Sequence, residues 1–231
     1  MPCVTVLDFV CAGCKPGQAL DIAFIVDDKL GGSGNKRRLY ELISGVIDKL
    51  DIDDDGTGTG TGNSDVRISF IRECATVPEM RLSRYYDKNA MLDHLERTRP
   101  VLERTPGLLR AATNKLSDSV RDIFHENEVI AEQGRQKIAV YITNGESRDL
   151  EATLREAQVA KLDNDISIIG VGVGEEVNLV ELRALVSCEP ENFLHTGTSH
   201  DDLIRLQQEI ARNICQGKLV VQYMENLSVE S

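Results

Sequence analysis

The chain has 231 residues, room for one domain of about 200 residues plus tails, because single cores grow until roughly 250–300 residues. Hydrophobic content of 41% and charged content of 28% are those of a globular chain, and no apolar run approaches the ~18 residues of a membrane span. A net charge of -12 repels nucleic-acid phosphates and anionic lipid surfaces, and an aromatic content of 4% without Trp offers no stacking platform, so basic proteins and cations are the partners left.

Residues 1–18 form a segment carrying Cys3, Cys11 and Cys14 ahead of the first apolar run. Cys11-Ala12-Gly13-Cys14 is a CxxC, but it lies outside any strand-to-helix unit and has no second CxxC to complete a tetrahedral zinc site. With Cys74, Cys188 and Cys215 the cysteines number 6, an even count that favours disulfides. The opening Met1-Pro2-Cys3 lacks a charged-then-apolar leader, which implies either a fragment of a longer protein or intracellular thiols.

From residue 19 onward, β-branched apolar runs alternate with segments of helical period, the signature of a parallel sheet wrapped by helices. The spacing predicts strands over 21–27, 66–72, 137–143, 166–171 and 192–195, and helices over 37–50, 89–97, 108–126, 149–162, 178–186 and 201–214. In the first helix Leu39, Leu42, Ile43, Val46, Ile47 and Leu50 recur at spacings of three and four, giving one apolar stripe. Met80, Leu82 and Tyr86 recur at even spacings and predict an antiparallel edge hairpin over 79–86. The folded unit then spans 19–215, with a tail over 216–231.

In such sheets ligands bind beyond the carboxyl ends of the strands, where the first strand delivers Asp27 into a loop containing Gly31-Gly32-Ser33-Gly34. Other chemistry fares worse. Asp51-x-Asp53-x-Asp55-Gly56 matches the first half of a calcium loop, but Gly62 stands at the twelfth position in place of a bidentate Glu, so a solvated acidic loop is the expectation. Gly170-x-Gly172-x-Gly174 misplaces its third glycine for a dinucleotide fingerprint and fits close strand–helix packing better. His94, His125, His195 and His200 lack metal-ligand spacing, and Ser33 is not in a GxSxG elbow, so no catalytic set can be assembled and no enzyme is expected. Asn226-Leu227-Ser228 is an N-glycosylation acceptor if the chain is secreted.

The strands DIAFIVD from Asp21, KIAVYITNG from Lys137 and ISIIGVGVG from Ile166, in this order, resemble the von Willebrand factor A domain family, and Cys14 and Cys215 at the domain ends, Cys188 after the fifth helix and the Asp-rich loop after the first helix are together similar to A domains of type VI collagen and related matrix proteins. The resemblance implies an α/β doubly wound, mostly parallel six-stranded sheet with one antiparallel edge strand and helices on both faces. It also implies a disulfide between Cys14 and Cys215, closing the domain, and a metal-ion-dependent adhesion site of Asp-x-Ser-x-Ser, a second-loop Thr and an Asp in a Thr-Asp-Gly turn.

Here Asp27 keeps the first position of that site while Lys29 and Gly31 replace the serines, an alignment the apolar stripe of the first helix holds in register. Thr105 is the second-loop candidate, and Thr143-Asn144-Gly145 puts an amide where the carboxylate is expected. Lys29 either pairs with Asp27 across the vacant metal position or points to solvent. A hard divalent cation wants more oxygen ligands and charge than Asp27, Thr105 and Asn144 supply, so neither Mg²⁺ nor Ca²⁺ is expected as a cofactor. The implied function is a secreted matrix or adhesion module binding a matrix or cell-surface protein, collagen being one candidate. Its rivals are an adhesion receptor domain with a weakened metal site and an intracellular scaffold of the same fold.

Overall fold

The computed structural model describes residues 20–26, 33–50, 52, 66–72, 88–104, 135–147, 150–162, 166–187, 193–198 and 200–216. In chain order these form β1 (Leu20–Val26), α1 (Ser33–Lys49), β2 (Val66–Arg72), α2 (Lys88–Arg104), β3 (Gln136–Thr143), α3 (Leu150–Leu162), β4 (Ile166–Val173), α4 (Leu179–Leu185), β5 (Leu194–Gly197) and α5 (His200–Gln216). The strands hydrogen-bond in the order β2-β1-β3-β4-β5, and every pair is parallel. The expected edge hairpin over 79–86, and with it a sixth strand, falls outside the described residues, as does the helix expected over 108–126.

Side chains alternate across a strand, so each strand feeds two layers. Leu20, Ile22, Phe24 and Val26 of β1, with Ile138, Val140 and Ile142 of β3, bury against the apolar stripe of α1, Met91 and Leu95 of α2, and Leu203, Leu206 and Ile210 of α5. The opposite face pairs Ala23, Ile25, Ala139 and Tyr141 with Ala157 and Ala160 of α3 and Leu182 and Leu185 of α4. Ile52, flanked by the acidic residues of the expected calcium-like loop, is buried in the first of these layers.

On β4 the glycines set the approach of α4. A Cβ on Gly170 would lie 2.7 Å from Val186 Cγ1 and 2.9 Å from Leu182 Cδ1, and one on Gly172 would lie 2.7 Å from Val177 Cγ1. The packing role expected of these glycines is therefore the one they fill. Gly174 has φ 111°, a conformation costly for any residue with a Cβ, and its N–H donates to Gly197 O at 3.0 Å.

Several boundaries differ from the periodicity. α1 begins at Ser33 rather than 37, because its first turn, Ser33-Gly34-Asn35-Lys36, carries no apolar residue to reveal it. α2 continues through Pro100 to Arg104 instead of stopping at 97. Proline deletes a single rung of the N–H ladder, and the turns on either side still close. β5 lies two residues later than expected because its extent follows its pairing with Gly170–Val173 of β4.

Candidate functional site

The chain leaves β1 to build β2 on one side and returns to build β3 on the other, so the strand order reverses between β1 and β3. The crevice beyond the carboxyl ends of those two strands is where doubly wound sheets place ligands. Register sets its floor: Val26 pairs with Ile142, and Thr143 follows on β3. Thr143 is buried, and its Oγ1 accepts the Gly145 N–H at 3.2 Å, folding 143–145 into a tight turn that carries Asn144 at its tip.

The rest of that loop is fastened to α4. Ser147 N–H donates to both carboxylate oxygens of the buried Glu181, at 2.9 and 3.1 Å. Asn178 caps α4 by accepting from Val180 N at 3.1 Å and Glu181 N at 3.2 Å, while its Nδ2 donates to Glu146 Oε1 at 3.2 Å. Asn178-x-x-Glu181 reads in sequence as a capping box, which would have flagged both residues. Here Glu181 serves the loop after β3 instead of the backbone of its own cap. Ser147 Oγ is buried and finds no hydrogen-bond partner among the described residues.

Of the expected site residues, Asn144 is described and lies at this crevice, half-buried. Asp27, Lys29, Gly31 and Thr105 lie outside the described residues, as do Asp51, Asp53, Asp55, Cys14 and Asn226. Among the described residues no group of three or more His, Cys, Asp or Glu is arranged to hold a metal ion. Among the described residues of this turn, Thr143, whose hydroxyl accepts the Gly145 N–H, and Asn144 bring no negative charge, whereas hard divalent cations are held chiefly by carboxylates. Cys215 is disulfide-bonded, to a partner outside the described residues.

Two polar clusters away from the crevice escaped the sequence. At the opposite end of the sheet Asp21 accepts from Arg67 Nε and Nη2 at 2.7 and 2.6 Å and from Arg135 Nε at 2.8 Å, while Arg135 Nη2 donates to Leu20 O at 3.0 Å. All three side chains are at most 7% exposed. The signal was one of register, since Asp21 pairs with Arg67 across β1 and β2, and register is invisible before the strands are aligned. Between β5 and α5, Asn213 Nδ2 lies 3.1 Å from Nε2 of the buried His195, whose Nδ1 lies 3.4 Å from Glu209 Oε2. With the amide donating to Nε2, the ring proton sits on Nδ1 and faces Glu209.

Compared with known proteins, residues 21–209 match the family model of the von Willebrand factor type A domain. The human collagen alpha-5(VI) chain is 25% identical over 195 residues, a match that covers 82% of this chain and 7% of that one. The mussel byssus proximal thread matrix protein 1, solved with a zinc-occupied MIDAS motif, superposes with a TM-score of 0.68 at 17% identity, over 88% of this chain and 49% of that one. Manganese-loaded TRAP protein of Plasmodium vivax gives a TM-score of 0.64 at 17% identity, covering 87% of this chain and 74% of that one. At such identities the superpositions establish the fold. The chain spans a small fraction of its collagen relative and about half of the byssus protein.

Proposed function

The chain belongs to the von Willebrand factor type A family, and on that premise we propose that it is a non-enzymatic, extracellular matrix or adhesion module that binds a protein partner without a metal bridge. The carrying observation is Asn144: at the tip of the turn after β3, where the family's carboxylate is expected, the chain offers an amide. With Lys29 and Gly31 at the serine positions, Asp27, Thr105 and the neutral Asn144 are what remains of the donor set, too little charge for Mg²⁺ or Mn²⁺. The kinship with a collagen VI chain and the likeness to a byssus matrix protein support a matrix setting, with collagen as one candidate partner.

In this reading the domain runs over 19–215, Cys14 is the partner of Cys215, and Asn226 in the tail is a glycosylation acceptor. Asp51, Asp53 and Asp55 belong to a solvated acidic loop rather than a calcium site. The rival is a metal-dependent adhesion domain with a weakened site, favoured by the zinc and manganese held by the two structural relatives. Adhesion of the purified chain to surfaces coated with collagens or matrix extract separates the two readings. Binding unchanged between 2 mM Mg²⁺ and excess EDTA is the expected result, with those concentrations on the order of ordinary buffer practice. Adhesion that EDTA abolishes, or Mg²⁺ uptake by calorimetry that Asp27→Ala removes, overturns the proposal.

A further inference from the structure

The first turns of α3 and α4 hold three large aliphatic side chains that the fold leaves in water: Leu150 at 44% exposure, Leu179 at 49% and Val180 at 82%. Isolated exposed aliphatics are ordinary, but these are grouped. Both helices start at the carboxyl end of the sheet, and the bonds from Ser147 to Glu181 and from Asn178 to Glu146 tie the loop leading into α3 to the first turn of α4. They therefore share one corner of the molecule, beside the crevice and outside it.

The charge around them is mostly negative. Glu146, in the loop before α3, and Glu175 and Glu176, in the loop before α4, are all exposed. Against these acids the sequence sets Arg148, in the loop before α3, and the exposed Arg183, one turn beyond Leu179 and Val180 on α4, with Arg155 further along α3. An aliphatic surface bounded by carboxylates, on a chain of net charge -12, complements a segment that carries aliphatic and basic side chains together.

We infer that this corner docks a basic, aliphatic-bearing segment of a partner protein, the aliphatics resting on Leu179 and Val180 and the cations meeting Glu146, Glu175 and Glu176. The inference rests on the reading of the chain as a protein-binding module and names the chemistry of its partner. Val180 supplies contact area, whereas the carboxylates govern encounter rate and salt dependence. No cation is needed between the two proteins, because the partner brings the positive charge itself.

A fluorescein-labelled decapeptide of alternating Lys and Leu is the probe, with alternating Glu and Leu as its control. Amide shifts of the ¹⁵N-labelled chain should move within 144–151 and 174–181, and Val180→Ser should weaken binding about tenfold, the equivalent of ~1.4 kcal/mol. The pair Glu175→Lys and Glu176→Lys should abolish binding, while the pair Asp48→Lys and Glu96→Lys, exposed acids on α1 and α2, should leave it within about twofold. All these positions are exposed, so thermal melts should match the unsubstituted chain. Shifts spread over the whole surface, equal binding of the acidic peptide, or unchanged affinity in Val180→Ser overturn the inference. So does concentration-dependent self-association that Val180→Ser removes, which would make a second copy of the chain the occupant. If Val180→Ser adheres to matrix surfaces as the unsubstituted chain does, this inference falls and the proposed function stands. Adhesion lost in EDTA alongside intact peptide binding has the opposite meaning.

Discussion

Replacing Asp21 by Asn tests what holds the amino-terminal end of the sheet together. The carboxylate accepts three guanidinium bonds of 2.6–2.8 Å from Arg67 and Arg135, with all three side chains at most 7% exposed. The amide keeps the shape but removes the charge and turns an NH₂ group toward donors that cannot accept from it. Breaking a buried pair while leaving its partner charge in place costs about 3–5 kcal/mol, a third or more of the stability of many domains. With a urea slope of roughly 2.5 kcal/mol per molar, the unfolding midpoint should fall by about 1.2–2 M, read by far-UV circular dichroism with the disulfide intact. The triple variant Asp21→Leu, Arg67→Met, Arg135→Met should recover most of that loss, because it removes the desolvation cost along with the attraction. A midpoint change under about 0.4 M in Asp21→Asn would refute the assignment of this cluster as a structural clamp.

Gly170→Ala forces a methyl against Val186 and Leu182 at 2.7 and 2.9 Å, and calorimetric melting should register a loss of about 1–3 kcal/mol. Asn178→Ala removes the acceptor for two orphan N–H groups of α4 and should cost about 1 kcal/mol in the same assay. Glu181→Ala should speed hydrogen exchange at the Ser147 amide by roughly tenfold or more, the loss expected when an N–H gives up a charged acceptor. Asn144→Asp alone should leave Mg²⁺ binding undetectable by calorimetry, whereas joining it to Lys29→Ser and Gly31→Ser should create it, because an octahedral cation needs the hydroxyls as well as the charge.

The strands were legible because parallel strands are buried on both faces and read as near-continuous apolar runs, as in LDIAFIV of β1 and ISIIGVGV of β4. Helix α1 was legible through its stripe, which faces a sheet that demands it. What failed to show were features set by neighbours distant in sequence. Asp21 looks like an interruption in an apolar strand until register places Arg67 beside it, 46 residues away. Glu181 reads as half of a capping box for its own helix until the loop after β3 supplies Ser147 N–H, 34 residues away. Ile52 sits among acidic residues that read as solvated, yet it anchors the end of α1 in the core. Asn144 was readable in advance because its meaning is chemical rather than geometric: an amide cannot supply the charge of a carboxylate in any register.

The parallel sheet also divides the labour of the molecule between its two ends. Every described strand points the same way, so the loops following β3 and β4 gather at one end while the Asp21 cluster lies at the other. Charge is used oppositely at the two ends. Around Asp21 it is buried and paired, where removing one member is costly and adding salt does little. At Glu146, Glu175 and Glu176 it is exposed, where removal costs the fold little and salt screens its effect on a partner. Destabilising changes at Asp21 should therefore lower the amount of folded protein and leave its binding selectivity intact. Charge reversal at Glu175 and Glu176 should do the reverse, altering which partners bind while the unfolding midpoint stays where it was.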